Sequence, residues 1–345
     1  MIAVFLAGLL ISAVVLELLS LRAVGKIRIQ TEADLSLCVP DEEITLRYTI
    51  LNPSRFPVLY VGYTFSFDES VTVSPPEHGQ SWVAQKDYGG VNVDGVCWLP
   101  AHSRVNGRIR FRLHHRGVYT VGKAYFEVGD LLGLKSRADS DFSTQRIVCT
   151  ADAADDVTDR IPLGGLLGSV SVRRFLHDDP CLIVGYREYS GREPMKQISW
   201  TQTAKTGTMM VKQMDHTADT DVVLLVDERP ELPLAMEHCL CQIRSLCEFL
   251  EDRKIPYEIC ANGDLGNTAR GLGRGHLFPI LRAIGLSQHT RYTDFSDVAE
   301  RVIRTSRPDR TCIVVSPDPD PILLERLQSH SHHRLMILGG EENGL

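Results

Sequence analysis

The hydrophobic pattern of this chain changes period partway along, and that change divides what it can fold into. Up to about residue 150 the apolar residues alternate: in "EEITLRYTIL", Ile44, Leu46, Tyr48 and Ile50 fall on one side and polar residues on the other. The stretches "RFPVLYVGYTFSF" and "RIRFRLHH" repeat the alternation, with turn residues between them. A period of two puts one face of each strand in a core and the other in water, so residues 28–150 are expected to form a β-sandwich. Further on, the strands become unbroken apolar runs, "DVVLLVD", "YEICA", "TCIVVSP" and "RLMIL", separated by helical stretches such as "PLAMEHCLCQIRSLCEFLEDR". Continuous Val, Ile and Leu alternating with helices predicts a parallel sheet covered on both faces, over residues 177–345. Between the two patterns, residues 151–176 are poor in aromatics and rich in Asp, Ala and Gly. They read as a linker, with the boundary near Asp155.

The N-terminus adds a third element. From Ile2 to Leu21 the only charge is Glu17, and such a run is about as long as a bilayer's hydrocarbon core requires. Residues 1–22 are therefore expected to form a transmembrane helix. A cleaved signal peptide is the competing reading, but no basic region precedes the run and no small-x-small site follows it. Arg22, Lys26 and Arg28 follow it directly, so the positive-inside rule puts the remainder in the cytoplasm. The expected localisation is the cell membrane, single-pass, with cytoplasmic soluble domains. The 9 cysteines agree: their number is odd and no C-x-x-C or zinc-type spacing joins them, which suits a reducing compartment. With 37 basic against 44 acidic residues, a net charge of -7, nothing global recruits nucleic acid.

The densest chemistry lies in "YREYSGREPMKQISWTQTAKTG". Here "YREY" extends, "SGRE" turns, and a helix is expected from Pro194 to Gly207. On that helix Ile198 and Trp200 would be about 200° apart, which implies contacts on two sides, a wedged helix. Arg187, Glu188, Arg192, Glu193 and Lys196 bring both signs together, a pattern closer to an ion-pair lattice than to a general acid and base. The expected role is a structural clasp bracing the start of the parallel sheet, with its exposed basic residues turned toward a partner.

These residues resemble the signature of the bacterial family catalogued as domain of unknown function 58: Arg187, Glu188 and Tyr189, a turn at Gly191, Ile198 and Trp200, then Ala204, Lys205 and Gly207. Upstream, "RGVYTVGKAYFEVGDLLGL" is similar to the family's Arg-Gly-x-Tyr stretch, with matches at Arg116, Gly117, Tyr119, Gly122, Asp130, Gly133 and Leu134. Leu131 and Leu132 stand in place of the usual Pro-Phe pair, and Glu193 departs from a Gly-Asp-Asp turn. The resemblance implies an α+β multidomain protein: an N-terminal transmembrane helix, an immunoglobulin-like β-sandwich, then an α/β von Willebrand factor A-like domain of Rossmann type. It also implies a non-enzymatic, membrane-anchored adaptor acting with a MoxR-type AAA+ ATPase in the assembly or maturation of other proteins.

The von Willebrand likeness raises a metal question. Such domains bind a divalent cation through Asp-x-Ser-x-Ser at a strand's carboxyl end, since hard cations take oxygen ligands. Asp227 matches the first position, but Arg229 and Glu231 occupy the serine positions. Asp318 and Asp320 follow "TCIVVSP" and would reach the same sheet edge. A Mg²⁺ site of Asp227, Glu231, Asp318 and Asp320, serving a metal-dependent binding module, is the alternative reading. Otherwise Asp227 caps or turns the chain, held by an ion pair with Arg229 or another base.

Three features are weaker. Gly271, Gly273 and Gly275 in "RGLGRGH" meet neither the P-loop nor the dinucleotide fingerprint. The histidines of "HSHH", His330, His332 and His333, suit a solvated loop better than a metal site. Arg108, Arg110 and Arg112 share one strand face, which is either simply solvated or open to an acidic partner or anionic lipid. No motif of a nucleophilic hydrolase or zinc protease is present in the sequence.

Overall fold

The computed structural model describes residues 26–129 apart from 78, 80 and 88, then 136–141, 143–154, 183–189, 198–214, 222–305, 310–330 and 334–338, with eight scattered positions between 5 and 15. The first strands are β1 (Arg28–Ala33), β2 (Leu37–Cys38), β3 (Glu43–Asn52), β4 (Val58–Phe67), β5 (Val71–Val73) and β6 (Trp82–Asp87). They continue as β7 (Gly90–Leu99), β8 (Ser103–Leu113), β9 (Gly117–Val121), β10 (Lys123–Gly129), β11 (Ser136–Asp141) and β12 (Gln145–Cys149). These strands form a sheet ordered β1-β3-β8-β5, a second ordered β11-β10-β4-β7-β6, and a small third, β2-β12-β9.

The alternation explains the packing. Ile44, Leu46, Tyr48 and Ile50 of β3 and Ile109, Phe111 and Leu113 of β8 meet Val61, Tyr63, Phe65 and Phe67 of β4 in one buried core. At its centre the hydroxyls of Tyr48 and Tyr63 lie 2.8 Å apart. Each ring needs a glycine opposite it: Tyr48 faces Gly107 in register and Tyr63 faces Gly95.

Later elements are β13 (Ile183–Glu188), α1 (Trp200–Thr206), β14 (Met210–Met214), β15 (Val222–Val226), α2 (Pro233–Asp252), β16 (Tyr257–Ala261) and α3 (Arg274–Leu286). They are followed by α4 (Phe295–Thr305), β17 (Thr311–Val315), α5 (Pro321–His330) and β18 (Arg334–Leu338). A parallel sheet runs β16-β15-β17-β18, while β13 and β14 pair separately as an antiparallel ribbon. All five residues of β15 are buried. Val222, Leu224 and Val226 pack toward α2 and α3, and Val223 and Leu225 toward α4 and α5. A strand covered on both faces has no polar side to show, hence its unbroken apolar run.

The expected fold class needs correction. Twelve of the 18 described strands precede residue 150, so strands of antiparallel and mixed sheets dominate the chain, and the helix-strand alternation occupies only its last part. Among the described residues no helix is long and apolar enough to cross a membrane. The two large sheets do face each other as a β-sandwich, but the description as a transmembrane helix ahead of an immunoglobulin-like sandwich and a von Willebrand factor A-like α/β domain does not hold, nor does a single-pass membrane location with cytoplasmic domains. Apolar length is a necessary condition for a crossing helix but not a sufficient one, and most of Ile2–Leu21 lies outside the described residues. Most of the expected linker, from 155 to 176, lies outside them as well. Its first residues do not behave as a loose tether: Ala151 is buried in the core under α2 and α3.

Candidate functional site

The carboxyl ends of β15 and β17 are where a parallel sheet of this order opens a crevice, because the chain leaves β15 toward β16 on one side and later returns to β17 on the other. Asp227 stands there, 2% exposed. Its Oδ2 accepts from Arg229 Nε at 2.8 Å and Ser316 Oγ at 2.9 Å, and its Oδ1 accepts from Asn262 Nδ2 at 3.0 Å. Arg229 also donates through Nη1 to Asp318 Oδ2 at 3.0 Å. A guanidinium thus occupies the space between the two carboxylates that a cation would need, and Asp227 already has a donor on each oxygen.

The other two expected ligands do not converge on it. Asp320 accepts from the Ile322 amide at 2.9 Å and so caps α5. Glu231 is exposed on the turn before α2. Among the described residues no group of three or more His, Cys, Asp or Glu is placed to hold a metal ion. The residues present do not fit Mg²⁺.

Two residues of this network were not anticipated. Asn262, 1% exposed, ties the strand ends together: its amide oxygen accepts from the Glu228 N–H at 2.7 Å while its Nδ2 serves Asp227. Glu228 is fully buried, and its carboxylate accepts from the Leu265 amide at 2.8 Å and from Ser287 Oγ at 3.3 Å. Burial pushes its carboxyl above the ordinary range, despite those donors. The "DE" following an apolar strand was the only sequence signal for Glu228, and nothing marked Asn262.

The signature residues assemble elsewhere. β13 pairs antiparallel with β14, bringing Arg187 opposite Val211 and Glu188 opposite Met210. Ile198, 5% exposed, bridges to Val211, and the Ser199 amide donates to Met210 O at 2.8 Å. The Thr203 hydroxyl pins α1 down, donating to Ser199 O at 2.9 Å and accepting from the Met210 amide at 3.0 Å. Gly207 ends the helix at φ 75°, a left-handed turn that glycine adopts without penalty.

The wedged helix expected from Pro194 is corrected here. The described helix begins at Trp200 and buries none of its residues. Trp200 is 58% exposed, and Ala204 and Lys205 are exposed with it. Tyr186 and Met209 on the same unit are also exposed. The reason is local: Ile198 and Ser199, just before the helix, make the buried contacts, and the chain turns outward from there. Arg187 and Glu188 are exposed on β13 and Tyr189 is half-buried, whereas Gly191, Arg192, Glu193, Pro194 and Lys196 lie outside the described residues.

The upstream motif has a role that sequence spacing does not show. Arg116, just before β9, is held through Nε and Nη2 by the Glu237 carboxylate of α2, and its Nη1 donates to the carbonyls of Ile284 and Ser287 at 2.7 and 2.6 Å. The Nε2 of His289 lies 3.0 Å from the same carboxylate. Burial pushes the Glu237 carboxyl up, but Arg116 and His289 outweigh it and hold it below the usual range. Gly122 sits at φ 89°, while Asp130, Leu131, Leu132, Gly133 and Leu134 lie outside the described residues. The glycine-rich stretch is structural: Gly271 exchanges backbone hydrogen bonds with Tyr257, and the Gly273 amide donates to Glu251 at 2.7 Å. His332 and His333 lie outside the described residues.

No family model matches the chain, and no curated protein does so either. Among solved structures it is similar to a non-cellulosomal cohesin from the archaeon Archaeoglobus fulgidus, at 12% identity over 36% of this chain and 92% of that one, with a TM-score of 0.26. A cohesin module from a Clostridium perfringens family 33 glycoside hydrolase gives 12% identity over 36% and 96%, at 0.26. A type I cohesin from Pseudobacteroides cellulosolvens gives 14% over 37% and 95%, at 0.25. At such scores these likenesses carry no argument about fold or function.

Proposed function

We propose that this chain is a non-enzymatic adaptor that presents the β13–α1–β14 unit to a protein partner, and that the partner is a MoxR-type AAA+ ATPase engaged in protein assembly or maturation. The observation that carries the reading is the exposure of Trp200 on a helix that buries nothing. A seven-residue helix is marginal by itself. An indole held in water on it contributes little to folding and much to an interface, where tryptophan is among the residues that dominate binding. The resemblance of Arg187–Gly207 to the domain of unknown function 58 signature supplies the class of partner. The metal-dependent alternative loses support because Arg229 bridges Asp227 and Asp318.

The test is capture of the full chain with a purified MoxR-type ATPase, with and without ATP and Mg²⁺, comparing wild type with Trp200→Ala. The variant is expected to fold within about 0.5 kcal/mol of wild type, as exposed positions do, and to lose capture. Equal capture by both proteins would remove Trp200 from the interface. A clear drop in stability would show that it serves the fold.

A further inference from the structure

The outer face of the β1-β3-β8-β5 sheet carries a groove of about 1000 Å³. Its floor is set by register. Glu32, Arg47 and Arg108 form one row across three strands and Gln30, Thr49 and Asn106 the next, with Arg104 of β8 at the end of the groove beyond them. These side chains point outward because their neighbours Ile29, Leu46, Tyr48, Ile50 and Ile109 fill the core.

The arginines are unevenly treated. Arg110 is held by Glu43 at 3.3 Å and Glu77 at 3.2 Å, and Arg112 by Glu43 at 3.6 Å. The side chains of Arg47, Arg104 and Arg108 make no ion pair or hydrogen bond among the described residues, although Arg47 faces Arg108 directly across the ladder. Like charges in that position cost a sheet stability. Glu77, which walls the groove, is already committed to Arg110. Of the lining carboxylates only Glu32 stands uncommitted against three arginines.

We propose that this groove binds an extended acidic segment of polypeptide. Arg47 and Arg108 grip one carboxylate and Arg104 takes another. Arg104 and Arg108 are separated by four residues of one strand, roughly 13–14 Å, and an extended peptide lying alongside places its own residues i and i+4 at the same distance. Between the two charged positions the middle row offers amides and a hydroxyl, Gln30, Asn106 and Thr49, suited to a peptide backbone. Arginine forks match carboxylates in pairs of hydrogen bonds. The neutral middle row, with Glu32 and Glu77 beside the groove, disfavours a polyanion charged at every step. A recessed groove also suits a chain better than a planar lipid surface. The proposal involves different elements from the β13–α1–β14 unit and stands apart from its function.

The experiment uses the full chain and a fluorescent peptide, Thr-Glu-Val-Thr-Val-Glu-Thr, read by anisotropy. The expected result is saturable binding that weakens as salt rises, is absent when both glutamates are glutamine, and falls about tenfold in Arg47→Ala and in Arg108→Ala, the loss of one charge-assisted contact. Melting temperatures of the variants should equal or exceed the wild-type value, since a repulsion is relieved. Equal binding of the glutamate and glutamine peptides would overturn the proposal. So would indifference to the arginine substitutions, or binding of a single-stranded oligonucleotide or phosphatidylserine vesicles with the same arginine dependence in place of the peptide.

Discussion

At the scale of single residues, Glu228 is a carboxyl whose chemistry differs between the folded and unfolded chain. It is fully buried beside Asp227, and burial raises its pKa. The folded state therefore holds that proton more tightly than the unfolded chain does. The resulting stabilisation is complete below the unfolded carboxyl's pKa and is lost as pH rises through the folded one. Glu228→Gln keeps an acceptor for the Leu265 amide and removes the ionisation. The variant is expected to match wild type in urea denaturation near pH 4 and to exceed it at pH 7. A difference independent of pH would mean that Glu228 acts through packing alone. Asp227, by contrast, is matched by a guanidinium, an amide and a hydroxyl. Sequence spacing suggested the Arg229 pairing, but the Asn262 and Ser316 contacts come from other strands and no local pattern encodes them.

At the scale of elements, the sandwich depends on two tyrosines that can meet only because glycine stands opposite each. A methyl group on Gly107 would lie 2.1 Å from the ring of Tyr48, and one on Gly95 2.3 Å from that of Tyr63. Gly107→Ala is expected to destabilise the protein by about 1–3 kcal/mol, the usual cost of overpacking, as read by urea denaturation. Wild-type stability in that variant would mean that the Tyr48 ring swings aside freely. The inward set Ile44, Leu46, Tyr48 and Ile50 was legible from its period of two, and the burial of β15 from its unbroken valines and leucines. The partnership of Tyr48 with Gly107 was not, because it depends on register between strands nearly sixty residues apart. The start of α1 was misjudged because Pro194 is a good first helical residue in isolation, whereas the contacts of Ile198 and Ser199 with β14 are what fix where the chain turns.

At the scale of the whole molecule, the sandwich and the parallel sheet are joined by packing and not only by chain continuity. Gly285 of α3 lets Val148 and Cys149 approach so closely that a methyl group there would meet them at 2.4 and 2.8 Å. Arg244 of α2 donates to Ala151 O at 2.7 Å, and Ser245 Oγ accepts from the Ala154 amide at the same distance. Arg116 completes the joint from the sandwich side. Its side chain is 11% exposed, and it places a cation at the last carbonyls of α3, where the helix dipole favours one. Removing one partner of such an ion pair leaves the other uncompensated, and Glu237, 44% exposed, recovers part of the loss from water. Arg116→Ala is therefore expected to cost about 2–3 kcal/mol, below the range for a fully buried pair. The loss should also appear as reduced coupling. With Trp98 and Trp200, both exposed, replaced by phenylalanine, Trp82, 3% exposed, reports on the sandwich through its fluorescence, whereas every helix from α1 to α5 lies beyond it, so the helical band of far-UV circular dichroism reports mainly on the C-terminal part. In that background the two signals should change together across a denaturant series, and with Arg116→Ala added they should separate. If they stay together in the variant, the Gly285 and Arg244 contacts hold the joint without Arg116, and the conspicuous Arg-Gly-x-Tyr stretch matters for the sandwich alone.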